Sequence, residues 1–274
     1  MNAFAKLKTA SKDTGVEEDF MGGGGVLDTD IYNVKIKTAY IGKASSSEAK
    51  NITLLMDYKG REVRSQIWVS NKKGEVTYQD KTSKEDKNLP GFNQINSLCL
   101  LVAGKSLGEM DIEELTVKLY DYESKKEIPQ AVECLTALHG EMVNIALQRQ
   151  TVDKTAKNDA TGDYEATGET RDQNEVVKFF AADKLVTISE VAEFIKSLGG
   201  NFDDEVENGN LLKAISKMSD EAGNYADKWL ERNKGQTYDK STGKKAEGKA
   251  FAGKATNTNG GGGTEKKKSS LFDD

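Results

Sequence analysis

Lys35 and Lys37 alternate with Val34 and Ile36, and Arg64, Gln66 and Trp68 alternate with Val63, Ile67 and Val69. Side chains of a strand point to opposite faces with a period of two, so each segment presents one apolar face and one face of cations, amides and an indole. A half-buried sheet needs the first face. The second suits a ligand with negative charge and flat, stackable surfaces. Lys118, Tyr120 and Tyr122 repeat the mixture opposite Val117 and Leu119, and Arg61, Lys72 and Lys73 extend it. Lys35, Lys37, Arg61, Arg64, Trp68, Lys72, Lys73, Lys118, Tyr120 and Tyr122 are the candidate binding surface, provided their strands are neighbours.

Catalytic chemistry has less to stand on. Asp111, Glu113 and Glu114 are the nearest approach to a metal-binding carboxylate set for a nuclease, but they precede a strand and read as a solvated acidic loop. The two cysteines, Cys99 and Cys134, lie in apolar contexts, and with a single histidine they make no standard zinc site. His139, followed by Gly140, reads as part of a turn. The run Gly22–Gly25 lacks the Gly-Lys-Ser/Thr of a phosphate-binding loop and reads as a hinge. The sequence therefore points to a binding protein without cofactor or metal rather than an enzyme.

The elements that position the candidate surface follow from periodicity. Residues 31–40, 51–58 and 61–69 read as three consecutive strands, with Lys59-Gly60 as a tight turn. The first puts Tyr32, Val34, Ile36 and Tyr40 on its apolar face. Glu75–Gln79 is a short strand, Leu89-Pro90-Gly91 a turn, and Asn93–Ala103 a helix, apolar nearly all round, with Asn93 as N-cap and Gly104 at its C-terminal end. Strands are expected at Thr116–Tyr122, Gln130–Leu135 and Glu141–Gln150. Thr151–Gln173 has no apolar periodicity and reads as a long projecting loop or hairpin tip. Thr187 with Glu190 forms a capping box for a helix to Leu198, and Asn210–Arg232 reads as one amphipathic helix with Leu211, Leu212, Ile215, Met218, Ala222, Tyr225 and Trp229 on its stripe.

Composition bounds the rest. Of 274 residues, 36% are hydrophobic and 31% charged, and the formal net charge is −6. Between Ile31 and Glu75, however, nine Lys and Arg face four Asp and Glu, so the binding segment is locally basic. No apolar run approaches the ~18 residues of a membrane helix, and Met1–Lys6 lacks the apolar core of a secretory signal. The expected organisation is a flexible arm at 1–26, one binding domain at 27–182, a helical extension at 183–234 and a disordered tail at 235–274.

A three-strand meander, a helix and then further strands is the order of an OB-fold, a five-stranded barrel with a helix between its third and fourth strands. The expected fold is thus mainly β, an OB-fold-like barrel with an inserted helix, a projecting hairpin and a C-terminal helical extension. Such barrels hold single-stranded nucleic acid by stacking bases on aromatics and tracking phosphates with Lys and Arg.

Several stretches also carry a resemblance. Gly22–Tyr32, Tyr58–Glu62, Trp68–Gly74, Leu89–Asn93 leading into Asn96–Leu101, Val117–Asp121, Gln150–Lys154 and Thr167–Asp172 are similar, in the same order, to a family of phage single-stranded DNA-binding proteins. The similarity covers residues 20 to 180. It implies sequence-independent coating of single-stranded DNA during phage replication and recombination, in the cytoplasm of the infected bacterial host. A strand-annealing protein and a phage structural or adaptor protein are the alternatives. Members of such a family end in an acidic tail with a terminal aromatic that recruits replication proteins such as a polymerase or helicase. Leu271, Phe272, Asp273 and Asp274 match that ending, directly after Lys266–Lys268 and two serines. The expected roles of the 210–232 helix are packing on the barrel, pairing with another copy of the chain or binding a replication partner.

Overall fold

The computed structural model describes residues 25–121, 124–158, 164–219 and 223–242. Tyr122 and the tail residues Leu271, Phe272, Asp273 and Asp274 lie outside them. The described chain is mainly β. Its first three strands are β1 (Asp30–Lys43), β2 (Lys50–Tyr58) and β3 (Arg61–Trp68). They form the expected antiparallel meander, with Lys35 opposite Asp57 at one end and Asn51 opposite Trp68 at the other. The turn between β2 and β3 places Lys59 at φ 51° and Gly60 at φ 82°, the left-handed pair that suits a two-residue hairpin.

β1 is long enough to serve two neighbours along one edge. Its first half, Asp30–Lys35, pairs antiparallel with β8 (Met142–Lys157), and its second half meets β7 (Lys126–Leu135) at Tyr40–Cys134. A β-bulge between Ile36 and Thr38 separates the halves. The bulge is held from the β7–β8 connection: Gly140 N–H donates to Ile36 O at 2.7 Å, and Ala39 N–H donates to His139 Nε2 at 3.0 Å. An inserted residue inverts the alternation. Val34 and Ile36 therefore share the core with Ala39 and Ile41, whereas Tyr40 passes to the other face, contrary to its expected place beside Ile36.

The chain continues through β4 (Thr77–Gln79) and β5 (Asp86–Asn88), a separate two-stranded ribbon, to α1 (Pro90–Ala103). The helix starts three residues before Asn93. Pro90 supplies the fixed φ of a first helical position, so the Leu89-Pro90-Gly91 turn is the helix's own entry. Gly104 ends it at φ 68°, with its N–H on Leu100 O. β6 (Ile112–Asp121) pairs with β7 along its whole length. It begins earlier than its apolar alternation, so Glu113 and Glu114 belong to a strand and not to an acidic loop. β9 (Tyr164–Phe180) pairs with β8, and β10 (Thr237–Asp239) lies parallel to β8. Of the projecting loop and the hairpin expected for the polar stretch, it is the hairpin, with strand structure running far into it.

Closing a five-stranded barrel would require β3 to pair with a late strand. Among the described residues β3 pairs with β2 alone, and α1 packs against it. The outcome is an open eight-stranded sheet rather than a closed barrel.

One face of that sheet builds the main core. Val34, Ile36, Leu54, Met56, Val63 and Ile67 meet Ile95, Leu98 and Cys99 of α1. The same core takes in Val191 and Ile195 of α2 (Ile188–Ser197) and Leu211 and Ile215 of α4 (Leu211–Lys217). Between these two helices lies α3 (Phe202–Glu207). The stripe expected to be one helix over 210–232 is two. α4 ends at Met218 with an extended backbone (ψ 144°), and α5 (Tyr225–Asn233) sets Ala226 and Trp229 on a second cluster with Ala146 and Phe180. Alternation along β8 puts Ala146 opposite Val143 and Ile145, so α5 covers the other face of the sheet at the β8 end. Glu190 ties the two helical parts together. One carboxylate oxygen accepts from Thr187, closing the capping box of α2, and the other accepts from the N–H groups of Asn224 and Tyr225 at 2.8 and 2.9 Å.

Residues 25–152 and 170–241 make up this unit; residues 153–169 with Thr242 belong to a second one. Within the second, Lys154 pairs with Glu169 at 2.9 Å, and the Thr242 hydroxyl donates to Asp153 at 2.7 Å. No described helix is long and apolar enough to cross a membrane.

Candidate nucleic-acid interface

Opposite the core, the β1–β2–β3 meander presents a polar face whose membership follows from register. On β3 it holds Glu62, Arg64, Gln66 and Trp68; on β2, Asn51, Thr53, Leu55 and Asp57; on β1, Lys35 before the bulge and Thr38, Tyr40 and Gly42 after it. Arg64 and Gln66 are exposed, and Trp68 is 42% exposed, a large value for an indole on a strand. At ~3.4 Å per residue the row from Arg64 to Trp68 spans ~14 Å.

The floor beside this row is polar and buried. Asn51 and Thr53 are buried at 2% and 1%, and Thr53 Oγ1 donates to Asn51 Oδ1 at 3.1 Å. Asn51 fits because Gly42 stands opposite it, where a Cβ would sit 2.7 Å from Asn51 Oδ1. Tyr40 is also buried and accepts from Arg64 Nη2 at 3.4 Å. It props the guanidinium and is not itself a stacking surface. Sequence reasoning missed Tyr40, Asn51 and Gly42 because strict alternation places Tyr40 in the core. The available signal was the change of apolar parity from Val34 and Ile36 to Ala39 and Ile41, which a one-residue insertion produces.

At the other end, Lys37 pairs with Asp57 at 3.3 Å, and Lys35 stands directly opposite Asp57. The Gly60 N–H, with Lys37 and Lys35, holds the Asp57 carboxyl below its usual range. Glu62, opposite Asp57 in the register, balances the second lysine, so this end of the face carries no net charge. Beyond them β1 runs on without β2, leaving a hollow of ≈ 550 Å³ lined by Tyr32, Asn33, Lys35, Tyr58, Lys59 and Met142 among others. The Tyr32 and Tyr58 rings meet edge to face with centroids 4.9 Å apart, and Lys59 Nζ lies 5.3 Å from the Tyr58 centroid. Burial, with Asp30 and Asp28 nearby, pushes the Tyr32 phenol up to about 12, and Arg61 works against that rise. Arg61, opposite Tyr58 in the register, belongs to this aromatic corner rather than to the Arg64 row.

Lys72 and Lys73 are exposed on the turn that follows β3, beyond the Trp68 end. Lys118 and Tyr120 are not brought to the same face. Tyr40 opposes Cys134, and Cys134 opposes Glu113. The polar face therefore continues through Glu113, Leu115 and Val117, and Lys118 and Tyr120 point to the opposite side of the β6–β7 hairpin. The expected single surface divides into a meander face with Lys35, Lys37, Arg64 and Trp68, an aromatic corner with Arg61, and a separate hairpin face.

Among the described residues no cluster of three or more His, Cys, Asp or Glu is placed to hold a metal ion. His139 accepts a backbone N–H, and burial pushes the Cys99 thiol up to about 12, far from a reactive thiolate. Neither known protein families nor curated protein sequences give a match to this chain.

Proposed function

We propose that this chain binds single-stranded DNA without sequence preference. The observation that carries the reading is the exposed Arg64–Gln66–Trp68 row, flanked by Lys35 and Lys37, on the polar face of the β1–β2–β3 meander, whose other face is core. An indole stacks on any base and contributes about 1–3 kcal/mol per stacked base. Arg and Lys add a phosphate attraction that falls steeply with salt. The meander followed by α1 and a further hairpin supports an OB-type ancestry for the sheet, in an opened form.

In this reading the protein coats and protects strands opened during phage DNA replication and recombination, in the cytoplasm of the bacterial host. It performs no chemistry of its own. Its terminal Leu271, Phe272, Asp273 and Asp274 recruit replication proteins such as polymerase or helicase. The same surface serves annealing if two coated strands are brought together.

The test is a salt titration of binding to an oligo-thymidine strand and to a duplex of equal length, with wild type and Trp68→Ala. The expected result is preference for the single strand, weakened by salt and by Trp68→Ala about tenfold or more. Equal, weak binding to strand and duplex would reduce the interaction to charge alone and favour a structural or adaptor role.

A further inference from the structure

We propose that β6 is a self-recognition edge, through which two copies of this chain join their sheets antiparallel. β6 is ten residues long, and its register with β7 runs unbroken from Ile112–Leu135 to Asp121–Lys126. Among the described residues it pairs with no other strand. A long, regular edge is a template for another strand, and proteins ordinarily blunt such edges with proline, a bulge, charged side chains or short length. β6 has no proline or bulge and is not short, and its charges are of both signs, so they can pair across an edge rather than repel it. At the other end of the meander, β3 is shorter and has α1 packed against it.

The residue pattern commits the edge to one occupant, a second β6. Two antiparallel strands in a continuous sheet are related by a two-fold axis perpendicular to the sheet, which preserves faces. Opposed residues must then be an even number of positions apart. With the axis at Thr116, Glu114 stands opposite Lys118 of the other copy, and the symmetry repeats that pair. Leu115 likewise stands opposite Val117 twice, Glu113 opposite Leu119, and Ile112 opposite Tyr120. From Ile112 to Tyr120 no like charges meet; at the end of the strand Asp121 stands opposite Asp111, which precedes β6. Moving the axis to Leu115 or Val117 removes both Glu–Lys pairs, and an axis between residues would oppose inward and outward positions.

Exposure agrees with this register. Glu114 and Lys118 are both exposed, and neither forms an ion pair within the chain among the described residues. Ile112 is 51% exposed. On the other side of the hairpin Leu115, Val117 and Leu119 are only half-buried, and joining two hairpins makes their rows continuous. Lys118 thereby has a role distinct from the Arg64–Trp68 face.

The test is sedimentation velocity over a wide concentration range, without nucleic acid. Wild type is expected to associate reversibly to a dimer. Lys118→Glu places two Glu–Glu oppositions in each dimer, and Glu114→Lys places two Lys–Lys oppositions. Each is expected to weaken association about tenfold. The charge-swapped double variant, Glu114→Lys with Lys118→Glu, restores both pairs and should dimerise like wild type. A wild type that stays monomeric throughout, a dimer indifferent to either single reversal, or a double variant as weak as the singles would overturn the proposal. Unchanged circular dichroism shows that the exposed substitutions leave the fold intact.

Discussion

Replacing Gly91 by alanine is a sharp test of how α1 sits on β3. A Cβ at this position would lie 2.0 Å from Trp68 O, 3.0 Å from Trp68 C and 3.2 Å from Ile67 Cγ2. Ordinary carbon–oxygen contacts begin at ~3.3 Å, so helix and strand must separate by roughly 1 Å. The obstacle is backbone and cannot rotate aside. Moving α1 also loosens Ile95 and Leu98 from Ile67, all three in the main core. On propensity alone, Gly→Ala in a helix gains about 1 kcal/mol. Overpacking costs about 1–3 kcal/mol, and a 2.0 Å approach to a backbone oxygen belongs at the upper end of that range, so the net expectation is a loss of about 1–2 kcal/mol. For a chain of this size that lowers the melting temperature by roughly 2–8 °C. Thermal melting followed by circular dichroism measures it. Gly108→Ala, where the new Cβ meets nothing within 4 Å, is the control and should melt like wild type. If Gly91→Ala melts at or above the wild-type temperature, the close approach of α1 to the Trp68 carbonyl is not a constraint on this fold.

Two other perturbations probe the helices and the thiols. Burial raises the Glu190 carboxyl, but N–H donors from Thr187, Tyr225 and Asn224 outweigh it and hold the group below its ordinary value of 4.5. A depressed folded value stabilises above the unfolded value and is lost as pH falls through the folded one, so Glu190→Ala should lower stability by about 1–2 kcal/mol near neutral pH. The deficit should shrink below pH 4.5; an equal deficit in urea melts at pH 7 and pH 3 would refute the charged-cap account. Burial also raises the thiols of Cys99 and Cys134, so a thiol-specific disulfide reagent should label neither in the native protein and both in denaturant. Rapid native labelling of Cys99 would contradict its place in the α1 core.

The legible parts of the sequence were those set by near neighbours. Val63, Ile67 and Val69 against Arg64, Gln66 and Trp68 gave the two faces of β3 as the structure has them. Thr187 and Glu190 announced the start of α2, and Lys59-Gly60 announced the hairpin turn. Three features were hidden because no local pattern encodes them. The polar reaches of β8 and β9 carry no buried face, so strand structure there leaves no apolar alternation. The 210–232 stripe looked continuous because both of its helices are apolar on one side, although they bury that side in different clusters. Tyr40 was misplaced because one bulged residue inverts every side chain after it.

The sequence by itself determined which positions of each strand are apolar, where cations and the indole lie along β3, and which residues cap α2. These depend on spacing within a few residues. Tertiary structure alone decided that Tyr40 supports Arg64, that Lys118 and Tyr120 leave that face, and that β6 ends the sheet while α1 stands against β3. Each of these turns on which strand edges hydrogen-bond across long stretches of chain. A backbone edge offers the same N–H and C=O groups whatever its side chains, so packing on the core face, and not local pattern, selects the partner.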